Sequence, residues 1–221
     1  MEGTEFRSLR LAALYEFVLS HLPALPADLL EIGCGCGELA LALSRAGYSV
    51  TAIDPEAPDG PIFQRMTLED FGDGRFDAVV ASVSLHHLDA IDIAFDKIVS
   101  MLRPEGLLIV EEFAKERLAG ATARWYYQER RALAAVGAEN ASVPDDFATW
   151  ICEWKSEHAD IHTFAEMRRE IDARFAERHF SWTPYLFDYR LEDALEPLER
   201  ELIEAGAIDP IGFRYVGELR G

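Results

Sequence analysis

The chain has 221 residues, 49% of them hydrophobic and 28% charged, which suits one globular domain with a sizeable core. Its formal net charge of −19, with no compensating basic block, opposes binding to nucleic-acid phosphates and to anionic membranes. Three cysteines give no disulfide framework, which points to a reducing, cytoplasmic setting.

The opening MEGTEFRSLR is charged and leads into an apolar stretch interrupted by Glu16, which fits neither a signal peptide nor a membrane span. Residues 8 to 21 read as an amphipathic helix carrying Leu9, Ala12, Ala13, Tyr15, Phe17 and Leu19, with Pro23 and Pro26 beyond its end. Residues 29 to 56 then read as strand, glycine loop, helix, strand and acid. Leu29, Leu30 and Ile32 suit a buried parallel strand, and Glu31 lies at its end. Gly33, Gly35 and Gly37 let the backbone turn and approach a ligand with no Cβ in the way. A helix from Leu39 stops near Gly47, and the next strand ends at Asp54, with Pro55 beside it. Such a unit holds its ligand at the carboxyl ends of the strands.

The ligand can be narrowed by charge. Dinucleotide enzymes place a pyrophosphate on a G-x-G-x-x-G loop. Here the spacing is G-x-G-x-G, and Glu31 before it repels a pyrophosphate but suits an ammonium group. Asp54 is placed for a ribose diol. A ligand with a ribose, a positive charge and no phosphate satisfies both acids, and S-adenosylmethionine is that ligand. A nicotinamide enzyme is the rival reading. The stretch resembles motif I and the following acidic motif of class I S-adenosylmethionine-dependent methyltransferases. Cys34 and Cys36, one residue apart, are poorly spaced for zinc or dithiol chemistry, and Cys34 reads as a small residue beside the cofactor.

The resemblance implies a Rossmann-like α/β sheet, mostly parallel, with an antiparallel strand at one edge. The PEAPDGP loop leaves the usual second helix abbreviated or missing, and Ile62, Phe63 and Met66 suggest the third strand. The family places an acid and a backbone amide around the adenine. Glu69 or Asp70 would supply the acid, and Leu68 the amide, while Thr67 takes the place of a common aspartate. After the strand FDAVVASV, the loop SLHHLD resembles the family motif in which Ser82, Leu85 and His86 line the cofactor's methionine end. His86 and His87 are candidate general bases, a neutral imidazole being suited to a hydroxyl or amine. RPEG predicts a turn, and LLIVEEF a fifth strand ending at Glu111 and Glu112, of which Glu112 is a second candidate base or substrate anchor.

Residues 114 to 178 depart from the family pattern. They are helix-rich, with Pro144 as a break and a long helix or helix pair after it. Trp150, Trp154, His158, Ile161 and His162 recur at spacings of about three and four, so Trp154, His158 and His162, with Trp125 or Tyr126, are candidates for an acceptor pocket under a helical lid. The alternative is that they pack the lid onto the body. His158 and His162 share metal-ligand spacing, but no HExxH pattern or third ligand accompanies them, so no metal is expected. Residues 179 to 189 read as a sixth strand, LEDALEPLERELIEAGAID as a helix, and IGFRYVGEL as the last strand.

The sequence therefore predicts three segments: a cofactor core over 1–113, a helical lid over 114–178 and a completion of the sheet over 179–221. The implied activity is methyl transfer from S-adenosylmethionine, with S-adenosylhomocysteine as product, to oxygen, nitrogen or carbon of a small molecule. A protein methyltransferase and a non-catalytic cofactor-binding protein are the alternatives.

Overall fold

A computed structural model describes residues 6–138 and 142–220. Residues 1–5, 139–141 and 221 lie outside the described residues.

The first half follows the predicted alternation of strand and helix. It comprises α1 (Leu9–His21), β1 (Asp28–Ile32), α2 (Glu38–Arg45), β2 (Ser49–Asp54), β3 (Phe63–Arg65), β4 (Phe76–Ser82), α3 (Ile91–Met101) and β5 (Leu102–Phe113). Ser8 caps α1 by accepting from the amide of Leu11. No helix joins β2 to β3, as the proline-rich loop implied. The RPEG turn exists as a bulge inside β5. Glu105 takes φ +64, and the pairing with β4 jumps from Phe76–Leu102 to Ala78–Leu107.

The second half comprises α4 (Gly120–Ala135), α5 (Phe147–Glu157), α6 (Phe164–Arg174), β6 (Phe175–Thr183), α7 (Glu196–Glu204) and β7 (Gly212–Leu219). The seven strands lie in the order β3-β2-β1-β4-β5-β7-β6. β1 to β5 are parallel where they pair, and β7 runs antiparallel to both β5 and β6. The reversed strand thus lies in the edge pair β7–β6.

Alternation along the strands divides the core between the two faces. Leu30, Ile32, Val79, Leu108 and Val110 meet Phe95 and Ile98 of α3 and Met167 and Ile171 of α6. Leu29, Val80 and Ile109 meet Leu11, Leu14 and Val18 of α1 and Leu39 and Leu43 of α2. A third cluster sits past the carboxyl end of β5, where Phe113, Tyr126, Trp150, Trp154, Tyr185 and Leu186 join α4 and α5 to the loop after β6.

Two expected boundaries change. The segment read as a lid to residue 178 divides. Only α4 and α5 cap the end of the sheet, whereas α6 joins the layer beside α3 and residues 175–178 already belong to β6. The sixth strand runs over Phe175–Thr183 rather than 179–189. Pro184 has no amide to give a ladder. Beyond it, the amides of Tyr185, Leu186 and Phe187 all donate to the carboxylate of Glu199, at 2.9, 3.1 and 2.8 Å. The carboxylate substitutes for a neighbouring strand, and the chain turns over the sheet's end. Among the described residues, no helix is long and apolar enough to cross a membrane.

Candidate functional site

The glycine loop is built by hydrogen bonds to the end of β2. The amides of Gly33 and Cys34 donate to the carbonyl of Ile53, at 2.9 and 3.1 Å. Asp54 completes the joint: its carboxylate accepts from the amides of Gly35, at 3.0 Å, and Glu56, at 2.7 Å. A Cβ at Gly37 would stand 2.4 Å from the Phe63 ring, so this glycine lets β3 close on the start of α2. A Cβ at Gly35 would meet nothing within 4 Å, because this glycine faces an open cleft.

Two clefts meet at Gly33. One, of about 420 Å³, is lined by Asp54, Pro55, Thr67, Leu68, Glu69, Ser84 and His87 among others. The other, of about 270 Å³, is lined by Arg10, Glu31, Cys34, Gly35, Ser82 and Asp188 among others. Glu31 is buried and its Oε2 has no hydrogen-bond partner. Desolvation, assisted by the nearby Asp54 and opposed by an amide of α2, pushes its pKa up to about 8. A buried carboxyl oxygen without a partner at a cleft is costly unless a ligand or water meets it. Burial, with Glu31 and Asp54 nearby, also raises the Cys34 thiol to about 12, which makes it inert as a nucleophile.

A third cavity, of about 380 Å³, adjoins the first, and Val83 and His87 line both. Its other walls include His86, Phe113, Glu157, His158, Ile161, Tyr185, Tyr189 and Arg190. Val83 takes φ +51, rare for a β-branched residue and costly by about 1–3 kcal/mol. That turn sits where the two spaces meet. Glu112 is fully buried behind it. Its Oε1 accepts from the amides of Leu85 (2.7 Å) and His86 (3.4 Å), and its Oε2 from the His86 ring at Nδ1 (2.8 Å) and the amide of Phe113 (3.3 Å). His158 donates from Nδ1 to the carbonyl of Trp154 (2.7 Å), and its Nε2 receives the Tyr189 hydroxyl (3.1 Å). Desolvation is the main cause holding both His87 and His158 below the usual histidine pKa.

Several predicted site residues take other places. Glu112 does not face the crevice. Both of its oxygens are spent on the loop, on His86 and on the Phe113 amide, so it orients the His86 ring and is not free to take a proton from a ligand. Leu85 is fully buried and lines neither cleft. Trp154 is buried behind His158, its ring stacked at 4.1 Å on the imidazole, and Trp125 packs in the third core cluster. His162 donates its amide to the carbonyl of His86 (2.9 Å), and its ring bonds the carbonyl of Leu88 (2.6 Å). It braces the histidine loop from behind. Of the two expected arrangements, a long helix or a helix pair, the pair is found, and it breaks the stripe. α5 ends at Glu157 and α6 starts at Phe164, so His162 sits in the break between them. Among the described residues, no three His, Cys, Asp or Glu side chains gather as a metal site.

Sequence reading missed Arg10, Val83, Tyr185, Asp188 and Tyr189. Arg10 of α1 bonds Asp188 through Nε and Glu111 through a terminal nitrogen, each at 2.6 Å, and so straps α1 across the second cleft. Arg214 of β7 holds the other oxygen of Glu111 at 2.7 Å. An ion pair spanning 178 residues carries no local pattern.

Glu199 decides how the Tyr185–Tyr189 segment lies. Glu199→Leu would strand three buried amides, each costing about 1–3 kcal/mol. Urea unfolding should show a loss of roughly 3 kcal/mol or more. A loss below about 1 kcal/mol would mean that water replaces the carboxylate and that the segment is held by packing.

Comparison with known proteins agrees with this geometry. Residues 4–180 match the family described as "Methyltransferase domain". An uncharacterized methyltransferase of Mycobacterium tuberculosis is 34% identical over 103 residues, covering 40% of this chain and 52% of that protein. The mitochondrial ubiquinone biosynthesis O-methyltransferase of Mus musculus is 32% identical over 122 residues, covering 45% of this chain and 33% of that one. The chain thus spans about half or less of the length of these curated relatives. The structure of 1,6-didemethyltoxoflavin-N1-methyltransferase from Burkholderia thailandensis, with bound 1,6-didemethyltoxoflavin and S-adenosylhomocysteine, superposes with a TM-score of 0.58 at 15% identity, covering 97% of this chain and 80% of that one. An S-adenosylmethionine dependent methyltransferase from Mesorhizobium loti gives 0.58 at 17% identity, covering 94% and 99%. At these identities the structures establish a shared Rossmann-like fold. The extent of the family match, over a sheet and glycine loop of the matching form, makes this chain a member of the methyltransferase domain family.

Proposed function

We propose that the protein transfers the methyl group of S-adenosylmethionine to a small molecule held in the third cavity. The observation that carries this reading is the partnerless oxygen of Glu31, buried in a cleft that is continuous at Gly33 with the one containing Asp54. Those residues fit the cofactor. Glu31 receives its ammonium, Asp54 its ribose hydroxyls, and the Cβ-free face of Gly35 lets it lie against the loop. Pro55, Leu68 and Glu69 wall the adenine side, and Cys34 and Ser82 the methionine side. When bound, the cofactor supplies a methyl on a sulfonium, a good leaving group.

The chain's own work is alignment and exclusion of water. Holding two reactants in line supplies roughly 7–11 kcal/mol of the barrier. Val83 and His87 border both spaces, so an acceptor in the third cavity faces the cofactor cleft across them. We read α4 and α5 with the Tyr185–Tyr189 segment as the cover over that acceptor. The cavity's size suits a small molecule. The excess of acid and the three free cysteines fit a cytoplasmic protein without a nucleic-acid partner.

Calorimetric titration with S-adenosylmethionine and S-adenosylhomocysteine tests the reading. Binding of both in the micromolar range is expected, tighter for the demethylated product. Absence of binding to either would overturn it.

A further inference from the structure

We infer that the acceptor is a hydroxylated aromatic molecule, methylated on its oxygen, with His86 as the general base. This rests on the cofactor reading above and extends it to the third cavity.

Three aromatic rings contribute to the wall of that cavity. Phe113 and Tyr185 stack at 5.0 Å with planes 14° apart, and Tyr185 and Tyr189 lie 6.0 Å apart at 22°. Three nearly parallel rings favour a planar guest over an aliphatic chain. The volume of about 380 Å³ holds one or two fused rings.

The polar groups choose the reacting atom. With the Nδ1–H of His86 donating to Oε2 of Glu112, Nε2 is the lone-pair nitrogen. Among the described residues the ring's hydrogen bond is the one at Nδ1, and the ring lines the cavity. Glu112 is itself pinned by three backbone amides, so the imidazole is held in tautomer and in orientation, and the charge it gains is compensated. His158 is less suited, since both of its nitrogens are engaged. His87 lines the same space without an orienting carboxylate. Glu157 and Arg190, paired loosely at 3.9 Å and each about half exposed (55% and 47%), are the other charged groups lining it. Among the described residues Glu157 is the carboxylate that lines this cavity, and an ammonium acceptor would have to share it with Arg190 at the cavity's exposed side. A hydroxyl meets an oriented imidazole and aromatic rings.

The step balances. The hydroxyl proton passes to Nε2 of His86. The oxygen's electron pair forms the new oxygen–carbon bond as the carbon–sulfur pair departs with sulfur, which becomes a neutral thioether. His86 then returns its proton to water.

The test reads binding and ionisation as well as turnover. Para-nitrophenol, whose phenolate absorbs visible light, is titrated into wild-type and His86→Gln protein, each alone and with S-adenosylhomocysteine. Wild-type protein should bind the phenol and raise its phenolate fraction above that of free phenol at the same pH. His86→Gln should bind it within a few-fold as tightly without that rise. With labelled methyl and a panel of mono- and dihydroxy aromatics, the substitution should lower the rate about 100-fold or more with little change in KM. Equal ionisation in both proteins would overturn the role of His86. No binding of any phenol, or preferred binding of para-nitroaniline, would overturn the substrate class. Failure of S-adenosylhomocysteine to bind, seen in the same calorimeter, would overturn the cofactor reading instead. Phenol binding by the protein alone would still decide the cavity.

Discussion

Asp54→Ala should weaken binding of S-adenosylmethionine by roughly 100-fold or more. The carboxylate is fixed before any ligand arrives, one oxygen by the Gly35 amide and the other by the Glu56 amide, and it borders the larger cleft at the end of β2. Each hydrogen bond from a ribose hydroxyl to a charged acceptor contributes about 1.5–3 kcal/mol, and the diol makes two. The same substitution frees the Gly35 amide, so the loop that must lie against the ligand loses its tether to β2. Asp54→Asn keeps one acceptor oxygen and should fall between the two. Calorimetry measures all three proteins. Wild-type affinity in the alanine variant would remove the ribose assignment, and with it the reading of the β2 terminus as a nucleoside site.

Glu31→Gln should change how stability depends on pH and should cost at least ten-fold in cofactor affinity. Burial and Asp54 raise the carboxyl from an ordinary 4.5 to about 8, so the ligand-free protein holds it protonated at neutral pH. A group whose pKa is higher folded than unfolded contributes fully below its unfolded value, and that contribution fades as pH climbs through the folded value. The wild type therefore loses stability from this one residue between about pH 5 and about pH 8, by an amount on the order of a few kcal/mol. Glutamine has no proton to lose. The difference in urea-unfolding free energy, variant minus wild type, should grow in the variant's favour across that window. Parallel curves would show that Glu31 is solvated in the ligand-free protein.

The ligand reverses this preference. An ammonium group beside Glu31 stabilises the ionised form, so binding near neutral pH should release a proton. Titrations in buffers of different ionisation heat would show that proton for the wild type and not for Glu31→Gln. The ten-fold loss of affinity corresponds to about 1.4 kcal/mol, below the usual value of a charge-assisted contact.

How much of this was legible in the sequence depends on the range of the interactions involved. From Leu29 to Asp54 the strand, glycine loop, helix and acid are all local, because hydrophobic periodicity and backbone freedom are set within a few residues. That stretch carried the strand-helix-strand unit and its crevice, and suggested the roles of its two acids. The missing second helix was legible for the same reason, whereas the antiparallel strand was an implication of the family resemblance.

The surroundings of the third cavity were decided by tertiary structure. Glu112 looked like a crevice carboxylate because it ends a strand, but the fold wraps the SLHHLD loop around it and spends its oxygens there. The Trp154–His162 stripe looked like one helix face until a break after Glu157 turned His162 to the back of the histidine loop. Tyr185 and Tyr189 looked like a strand until Glu199 gathered their segment's amides. The alignment of Arg10 with Glu111 and Asp188, and of His86 with Glu112, joins residues far apart in the chain. A local pattern records which faces a segment will bury. Which polar partner meets a given carboxylate is decided only when the packed core brings distant segments to hydrogen-bonding distance.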